Sequence, residues 1–430
     1  MAKTIEINVH HVTRVEGHGN IKIRAKDGTI EECKLEVVES PRFFEAMLEG
    51  RTWKDVRHIT TRICGICAVG HGLTSVQATE NAFGMKWSKQ TDLLKRLICL
   101  GEQLQSHVLH EYFLAAPDFL NVASVVPLVQ SHPEVVVRAL KLKKFANQIC
   151  DMICGRKVHP IGMEPGGFAY TPKRKELQQL RAKFDEMEPD ITATVDLFAT
   201  LKIPAFQRET EYVSLKHDKE YAWLEGQVYS SDMGGVAKQD YLKIVHEKVV
   251  DHSTSKHVAN KRSSYQVGAL ARVNNNYDLL LPHAKAVAQK LGFKAPCHNP
   301  FMINVAQVIE IAQCFYDARN VVEALIELGP KPEESPEVKP KAGRGVGATE
   351  VPRGILFHDY TYDDEGKIVK ANLVIPTGQN LANIEDDMRA LVPQIIDQPK
   401  DVITLQLEML VRAYDPCISC SVHFLNVEFV

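Results

Sequence analysis

Apolar and polar positions along the chain change period several times, and each change marks an element. Residues 3–10 and 20–24 alternate, and residues 30–38 follow the turn signal Asp27-Gly28, which suits a β-hairpin. Past Pro41 the spacing becomes helical, predicting a short helix over 43–48 and a longer one over 68–82. Over 91–115, Leu94, Leu97, Ile98, Leu104, Val108 and Phe113 recur at helical intervals, and the run stops before Pro117-Asp118. Further helices are predicted over 133–154, 172–201, 241–250, 278–291 and 304–328. Residues 329–347 carry Pro330, Pro332, Pro336 and Pro340 among Lys and Glu, and read as a solvated loop. Two strand-like runs, 354–362 and 368–375, flank an Asp-Glu-Gly turn, and a last helix covers 402–413. No internal repeat is evident. The expected fold is mainly α with peripheral β (α+β): one large domain with a long-helix bundle core, a β-rich part over 1–40, and β structure returning over 350–430.

Composition narrows the function more than the fold. The 430 residues are 45% hydrophobic and 24% charged, an ordinary globular balance that excludes a disordered or collagen-like chain. A net charge of −3 offers no basic field, so nucleic acid is not an expected partner. No apolar run reaches the roughly 18 residues of a membrane span, and the opening MAKTIEINVHH has no hydrophobic signal region, which points to the cytoplasm.

In that reducing compartment, paired thiols more often mean metal than disulfide. Of ten cysteines, only Cys64/Cys67 and Cys417/Cys420 have Cys-x-x-Cys spacing, a turn that lets two thiolates converge on one soft metal. The chain's N- and C-terminal segments are therefore expected to converge on a metal site. Structural zinc ribbons separate their pairs by about 15–20 residues, whereas Cys67 and Cys417 are 350 positions apart. Spacing alone leaves structural zinc and an iron–sulfur cluster about equally open. The other six cysteines, Cys33, Cys99, Cys150, Cys154, Cys297 and Cys314, read as small buried apolar residues.

The flanking residues decide. TRVEGHG at 13–19, RFFE at 42–45, RICGICAVGH at 62–71, GRKVHPIGMEPGG at 155–167, EVPRGILFH at 350–358, VIPTGQN at 374–380 and DPCISCSVH at 415–423 occur in that order. Together they resemble the large subunit of nickel–iron hydrogenases, and seven ordered blocks are far more specific than any one. The resemblance implies nickel held by all four thiolates, iron bridged to it through Cys67 and Cys420, and Cys64 and Cys417 terminal on nickel. It further implies carbon monoxide and cyanide on the iron, and reversible heterolytic cleavage of dihydrogen. That reaction needs a Lewis-acidic metal and a nearby base.

By the same resemblance, Glu16 relays protons from the terminal cysteine of the C-terminal pair. Arg353 hangs over the open metal position, with Asp118 and the cyanide-bearing iron as the partners a buried guanidinium requires. Thr377 donates a hydrogen bond to a cyanide nitrogen. His71, on the helix opening from the first pair, suits donation to a bridging sulfur. Glu45 and His423 match positions that hold a second ion, commonly magnesium. His107 and His110, with Glu111, lie outside the motifs and read as buried hydrogen-bonding residues near Asp118.

The other six cysteines form no additional framework for an iron–sulfur wire, so a small subunit carrying clusters is expected. Diaphorase, ferredoxin- or heterodisulfide-linked subunits would then supply the acceptor, because GRGVG at 343–347 lacks the strand–helix context of a dinucleotide loop. Residues 424–430 after His423 are expected to stay in the mature chain. The rival readings are a dihydrogen-sensing relative and a metal-free subunit like those of respiratory complex I. The latter is disfavoured because all four cysteines are present.

Overall fold

The computed structural model describes residues 4–26, 29–334 and 336–423, so the expected fate of the 424–430 tail lies outside the described residues. Helix predominates, at about 49% against 19% strand, which makes the fold α+β. The opening strands are β1 (Thr4–Val9), β2 (Gly19–Lys26) and β3 (Thr29–Val37), paired antiparallel in turn. Ile21, Ile23 and Ala25 are buried while the residues between them are more exposed, as alternation requires.

Helices follow: α1 (Phe44–Leu48), α2 (Ala68–Phe83), α3 (Lys89–Leu109), α4 (Pro133–Cys154), α5 (Arg174–Ala199) and α6 (Ile303–Leu328). Ser88 caps α3 by accepting from the Thr91 N–H, and left-handed glycines Gly84, Gly155 and Gly329 end α2, α4 and α6. α3 packs against α4 and α6, and α5 lies across α6. Phe145, Phe184 and Phe315 interlock edge to face where α4, α5 and α6 meet. Beyond Leu109 the α3 backbone widens into a π-turn over His110–Ala115, where the Ala116 N–H reaches the Glu111 carbonyl. Such bulges concentrate at functional sites, and this one turns His110 and Glu111 into the interior.

Three predicted elements differ. The helix expected over 241–250 is a 3-10 turn (Lys238–Lys243) followed by strand β4 (His246–Val250). Its β-branched end pairs across the Asp251-His252 turn with β5 (Ser253–Ala259), and β5 joins β3 in parallel, giving the sheet order β1-β2-β3-β5-β4. The loop expected over 329–347 ends early, because β6 (Gly343–Val351) pairs in register with β7 (Gly354–Tyr362). Its glycines are packing devices. A Cβ on Gly345 would lie 2.0 Å from the Ala78 carbonyl oxygen, and one on Gly347 2.1 Å from that of Thr74, so only glycine lets β6 lie on α2. β8 (Ile368–Val374) completes this sheet. The chain closes with α7 (Pro376–Ile395) and α8 (Lys400–Ala413). The segment predicted over 278–291 is likewise a 3-10 turn before a shorter helix, Pro282–Lys290, because Pro282 restarts it.

Candidate metal centre

The two cysteine pairs meet. Cys64 and Cys67 form the turn just before α2; Cys417 and Cys420 follow α8. Their four sulfurs all lie within 4.8 Å of one another and all four residues are buried. Cys64 Sγ is 3.6 Å from Cys417 Sγ, and Cys67 Sγ is 3.9 Å from Cys420 Sγ. The Ile66 and Cys67 N–H groups donate to Cys64 Sγ at 3.3 and 3.2 Å. Hydrogen bonds from Cys417, Cys420 and Cys67 hold the Cys64 thiol well below its ordinary range, while burial pushes Cys420 well above. Mutual hydrogen bonding thus favours charge on one sulfur of a group that is otherwise pushed up, and four convergent sulfurs are the donor set a soft metal takes.

The N-terminal block is sewn onto the second pair. Glu16 bridges to Cys417 through the backbone: its N–H reaches the Pro416 carbonyl, and the Ile418 N–H donates to its carbonyl at 2.9 Å. The Ser419 N–H donates to Glu16 Oε2 at 3.1 Å, inside the Cys417–Cys420 loop. Gly17 sits at φ +87°, and a Cβ there would lie 2.7 Å from Ile418 Cβ. Arg42 ties both loops, donating to the Ile63 carbonyl at 2.7 Å and the Ser419 carbonyl at 3.2 Å.

Arg353 is buried at the tight turn between β6 and β7. The sequence paired it with Asp118; the structure pairs it with Asp415, Nε donating to the Asp415 carbonyl at 2.6 Å and Nη2 to Oδ1 at 2.7 Å. Its Nη1 is buried without a partner among the described residues, and its charge acts on Cys417, Cys67 and Cys64. Asp118 is committed elsewhere. It takes a fork from Arg412, at 2.7 and 2.9 Å, and an ion pair from Arg14. Those two arginines flank Glu16 and Cys417 in sequence, so Asp118 locks the two ends together rather than facing the metal site.

Thr377 Oγ1, at the start of α7, accepts the Cys417 N–H at 2.9 Å, which leaves its own hydroxyl proton to donate. His71 is fully buried, and burial pushes it down to about 4, so it is neutral. Its Nδ1 lies 3.2 Å from His358 Nε2 and continues through Tyr360 to Ser75; among the described residues it makes no hydrogen bond to sulfur. That chain of hydrogen bonds holds the ring by its other nitrogen. His107 meets Glu310 at 2.8 Å, and His110 lies between the Arg412 carbonyl and the Glu111–Gln307 pair. Both are buried hydrogen-bonding residues, as expected.

Glu45 and His423 share one residue of β8: the Leu373 N–H donates to Glu45 Oε1 at 2.9 Å, and the Leu373 carbonyl meets His423 Nε2 at 2.8 Å. The two side chains are 3.9 Å apart, with Lys256 Nζ 3.6 Å from the same carboxylate oxygen.

Three supporting groups are not evident from the sequence. Glu102, from α3, accepts the Val69 and Gly70 N–H groups at 2.7 and 2.8 Å, capping α2 where it leaves Cys67. Arg272 is fully buried, forks onto Glu310 at 2.6 Å, reaches Glu350 at 3.0 Å, and donates to the carbonyls of Val351 and Pro352. It therefore fixes the residues immediately before Arg353. Asp415 opens the DPCISCSVH block, and its place two residues before Cys417 was the available signal.

Sulfur spacing by itself would accept a single tetrahedral ion. A structural ion alone, however, supplies no acceptor for the buried Arg353 Nη1, which has no partner among the described residues. That donor, with the half-buried Glu16 carboxylate and the Thr377 hydroxyl both held against the backbone of the Cys417–Cys420 loop, fits a centre carrying further anionic or acceptor ligands.

Comparison with known proteins agrees. The family described as nickel-dependent hydrogenase matches residues 42–134 and 196–423, and one described as HoxL-like matches 6–40. The alpha subunit of sulfhydrogenase 1 from Pyrococcus furiosus is 33% identical, covering 98% of this chain and 99% of the relative. A vhu subunit of the F420-non-reducing hydrogenase from Methanococcus voltae is 30% identical, covering 88% and 96%. Among solved structures, an NAD+-reducing [NiFe]-hydrogenase in its H2-reduced state superposes with a TM-score of 0.86 at 27% identity, over 98% of this chain and all of that one.

Proposed function

The chain belongs to the nickel-dependent hydrogenase family as a large, catalytic subunit, and we propose that Cys67 and Cys420 bridge nickel to iron while Cys64 and Cys417 complete the nickel site. The protein is an oxidoreductase acting on dihydrogen. Carbon monoxide and cyanide on the iron complete the proposed centre. When bound, such a centre splits dihydrogen heterolytically and takes its two electrons, leaving two protons in all for the protein to remove.

The rest is work for side chains. Glu16 takes a proton from the Cys417 sulfur at a carboxylate that the Ser419 N–H holds in place. Arg353, pinned by Asp415, keeps a positive charge over the sulfurs and offers Nη1 as a donor. Thr377 donates to a cyanide nitrogen, its oxygen being occupied by the Cys417 N–H. His71 stays neutral and braces the first loop through His358. Magnesium at Glu45 and His423 would have to displace Lys256, which already supplies positive charge to the Glu45 carboxylate.

Electrons leave by the first cysteine loop toward a small subunit with iron–sulfur clusters. Val158 supports that exit: it lies 3.9 Å from where a Gly65 Cβ would be and is 42% exposed, and Ile161 beside it is 44% exposed. Further subunits, linked to diaphorase, ferredoxin or heterodisulfide chemistry, would carry the final acceptor. No helix of the described residues is long and apolar enough to cross a membrane.

The observation that carries this reading is the meeting of four sulfurs from opposite ends of the chain beside an unsatisfied arginine nitrogen. Nickel analysis and dihydrogen-dependent dye reduction on the purified complex test it. One nickel per chain with turnover is expected, and Cys→Ser at any of the four positions should remove both. Zinc in place of nickel overturns the reading, and nickel without turnover moves the chain to the sensing relatives.

A further inference from the structure

Away from the four thiols, a second group of ligand-type side chains converges between the five-stranded sheet and α7. His252 occupies the turn between β4 and β5, His257 lies on β5, and Glu385 projects from α7. One donor atom from each lies within 4.8 Å of the others. His252 Nε2 is 2.7 Å from Glu385 Oε1, and the Leu35 N–H of β3 donates to that same oxygen at 2.9 Å. Both of those bonds fall on Oε1. The two imidazoles stand edge to face, 5.4 Å between centroids and 88° between planes.

The decisive feature is His257. It is 2% exposed, and its Nε2 is buried with no hydrogen-bond partner among the described residues. A buried polar atom left unpaired is destabilising, and the His252–Glu385 hydrogen bond does nothing to relieve it. A cation among the three side chains does. It would take the unpaired His257 nitrogen, and it would replace the proton now shared between His252 and Glu385.

We propose that His252, His257 and Glu385 form a second, structural site for a borderline divalent transition metal, separate from the four-cysteine centre. Two imidazoles and one carboxylate suit zinc, nickel or iron(II) rather than magnesium or calcium, which prefer all-oxygen shells. Cys33 is near but is not part of the set, since its S–H donates to the Glu385 carbonyl at 3.6 Å. The site would clamp α7 to β3 and β5. That helix presents Thr377 to the Cys417 loop, so the ion would stiffen one wall of the catalytic centre from outside it.

Zinc is the probe, and the nickel- and iron-loaded enzyme complex is the sample, so that the four thiolates are already filled. Crystals soaked in Zn2+ should show an anomalous peak bounded by His252, His257 and Glu385, and Zn2+ should raise the thermal unfolding temperature. His252→Ala alters a partly exposed turn residue and should fold. It should lose the peak and the thermal shift, with zinc affinity down at least about tenfold, the lower end for even an indirect ligand support. Dihydrogen turnover in that variant should match wild type in zinc-free buffer. No peak at this site, or an undiminished shift in His252→Ala, overturns the proposal. If the thiolates held no nickel, zinc would appear there as a separate peak, so failure of one reading cannot pass for failure of the other.

Discussion

Replacing Glu16 by Gln separates proton transfer from assembly, because the two roles of this side chain use different properties. Holding the Cys417–Cys420 loop requires only an oxygen that accepts the Ser419 N–H at 3.1 Å. The Gln amide oxygen can do that. What is lost is the charge assistance, which makes such a bond roughly twice as strong as a neutral one of about 1 kcal/mol. The backbone bridge from Glu16 to Pro416 and Ile418 is untouched. The loop should therefore be weakened by only about 1 kcal/mol, and nickel content should stay at the wild-type level. Proton transfer requires a group that can bind and release a proton, and Gln cannot. A positioned acid–base group contributes about 10²–10⁴ in rate, equivalent to about 3–5 kcal/mol of barrier. Exchange between D2 and water protons, followed by gas mass spectrometry, should fall by that factor while metal analysis is unchanged. Exchange within about threefold of wild type in a fully loaded variant, far short of the factor a lost acid–base group predicts, would falsify the relay. Loss of nickel would reject the premise that Glu16 acts on protons rather than on the loop.

Three further perturbations probe the frame. Gly17→Ala forces an L side chain to φ +87° and places its Cβ 2.7 Å from Ile418 Cβ. Left-handed strain and local overpacking together should cost about 2–4 kcal/mol, read as a lower melting temperature and reduced nickel loading; wild-type loading would contradict the close approach. Arg272→Met leaves Glu310 and Glu350 buried without their cation, which should cost about 3–5 kcal/mol in denaturant unfolding. Arg272→Lys, which keeps charge but not the fork, should fold better and still lose turnover through Arg353; full activity in the Lys variant would refute the positioning role. His110 is raised to about 9: burial opposes its charge, but Asp415, the Glu111 hydrogen bond and the Arg412 carbonyl outweigh it. A raised folded value means the folded state binds the extra proton, so this stabilisation is complete below the unfolded value near 6.5 and is lost as pH rises through 9. Unfolding free energy between pH 6.5 and 9.5 should decline more steeply in wild type than in His110→Gln, and parallel curves would reject the charged imidazole.

How much could be read from the chain beforehand depended on whether the information was local. The helices over 133–154 and around 304–328 announce themselves by period and end at glycines, and the structure keeps them within a few residues. The 241–250 segment misled because its apolar residues fit both periods; only its pairing with β5, a partner beyond the next turn, selects strand. GRGVG read as loop because it closes a stretch of prolines, lysines and glutamates that looks like solvated chain. The purpose of its glycines is visible only once α2 lies against them at a distance no side chain allows. The thiolate cluster was legible because the pairs carry their own spacing and flanking blocks. The partner of Arg353 was not. Asp118 and Asp415 are both buried acids in the right region, and the choice rests on three-dimensional competition: Arg14 and Arg412 claim Asp118 first.

That competition explains why so much charge is buried around this site. Arg353–Asp415, Arg412–Asp118 and the Arg272–Glu310–Glu350 group are all nearly inaccessible. Buried ion pairs seldom add net stability, since desolvation offsets their attraction, so stability alone does not account for them. Their geometry does. Each joins segments remote in sequence: Asp118, following the bulge at the end of α3, to the helix before Cys417, β6 to α6, and the turn bearing Arg353 to the residue before Pro416. A hydrophobic contact would hold these segments together at any of several offsets, whereas a forked guanidinium–carboxylate pair accepts one. Sulfurs drawn from the two ends of the chain must close to within a few ångströms, and no local secondary structure spans that separation. Directional ties are the physical means by which a long chain can set such a distance, and their cost in desolvation is consistent with a fold selected for the position of its reacting atoms.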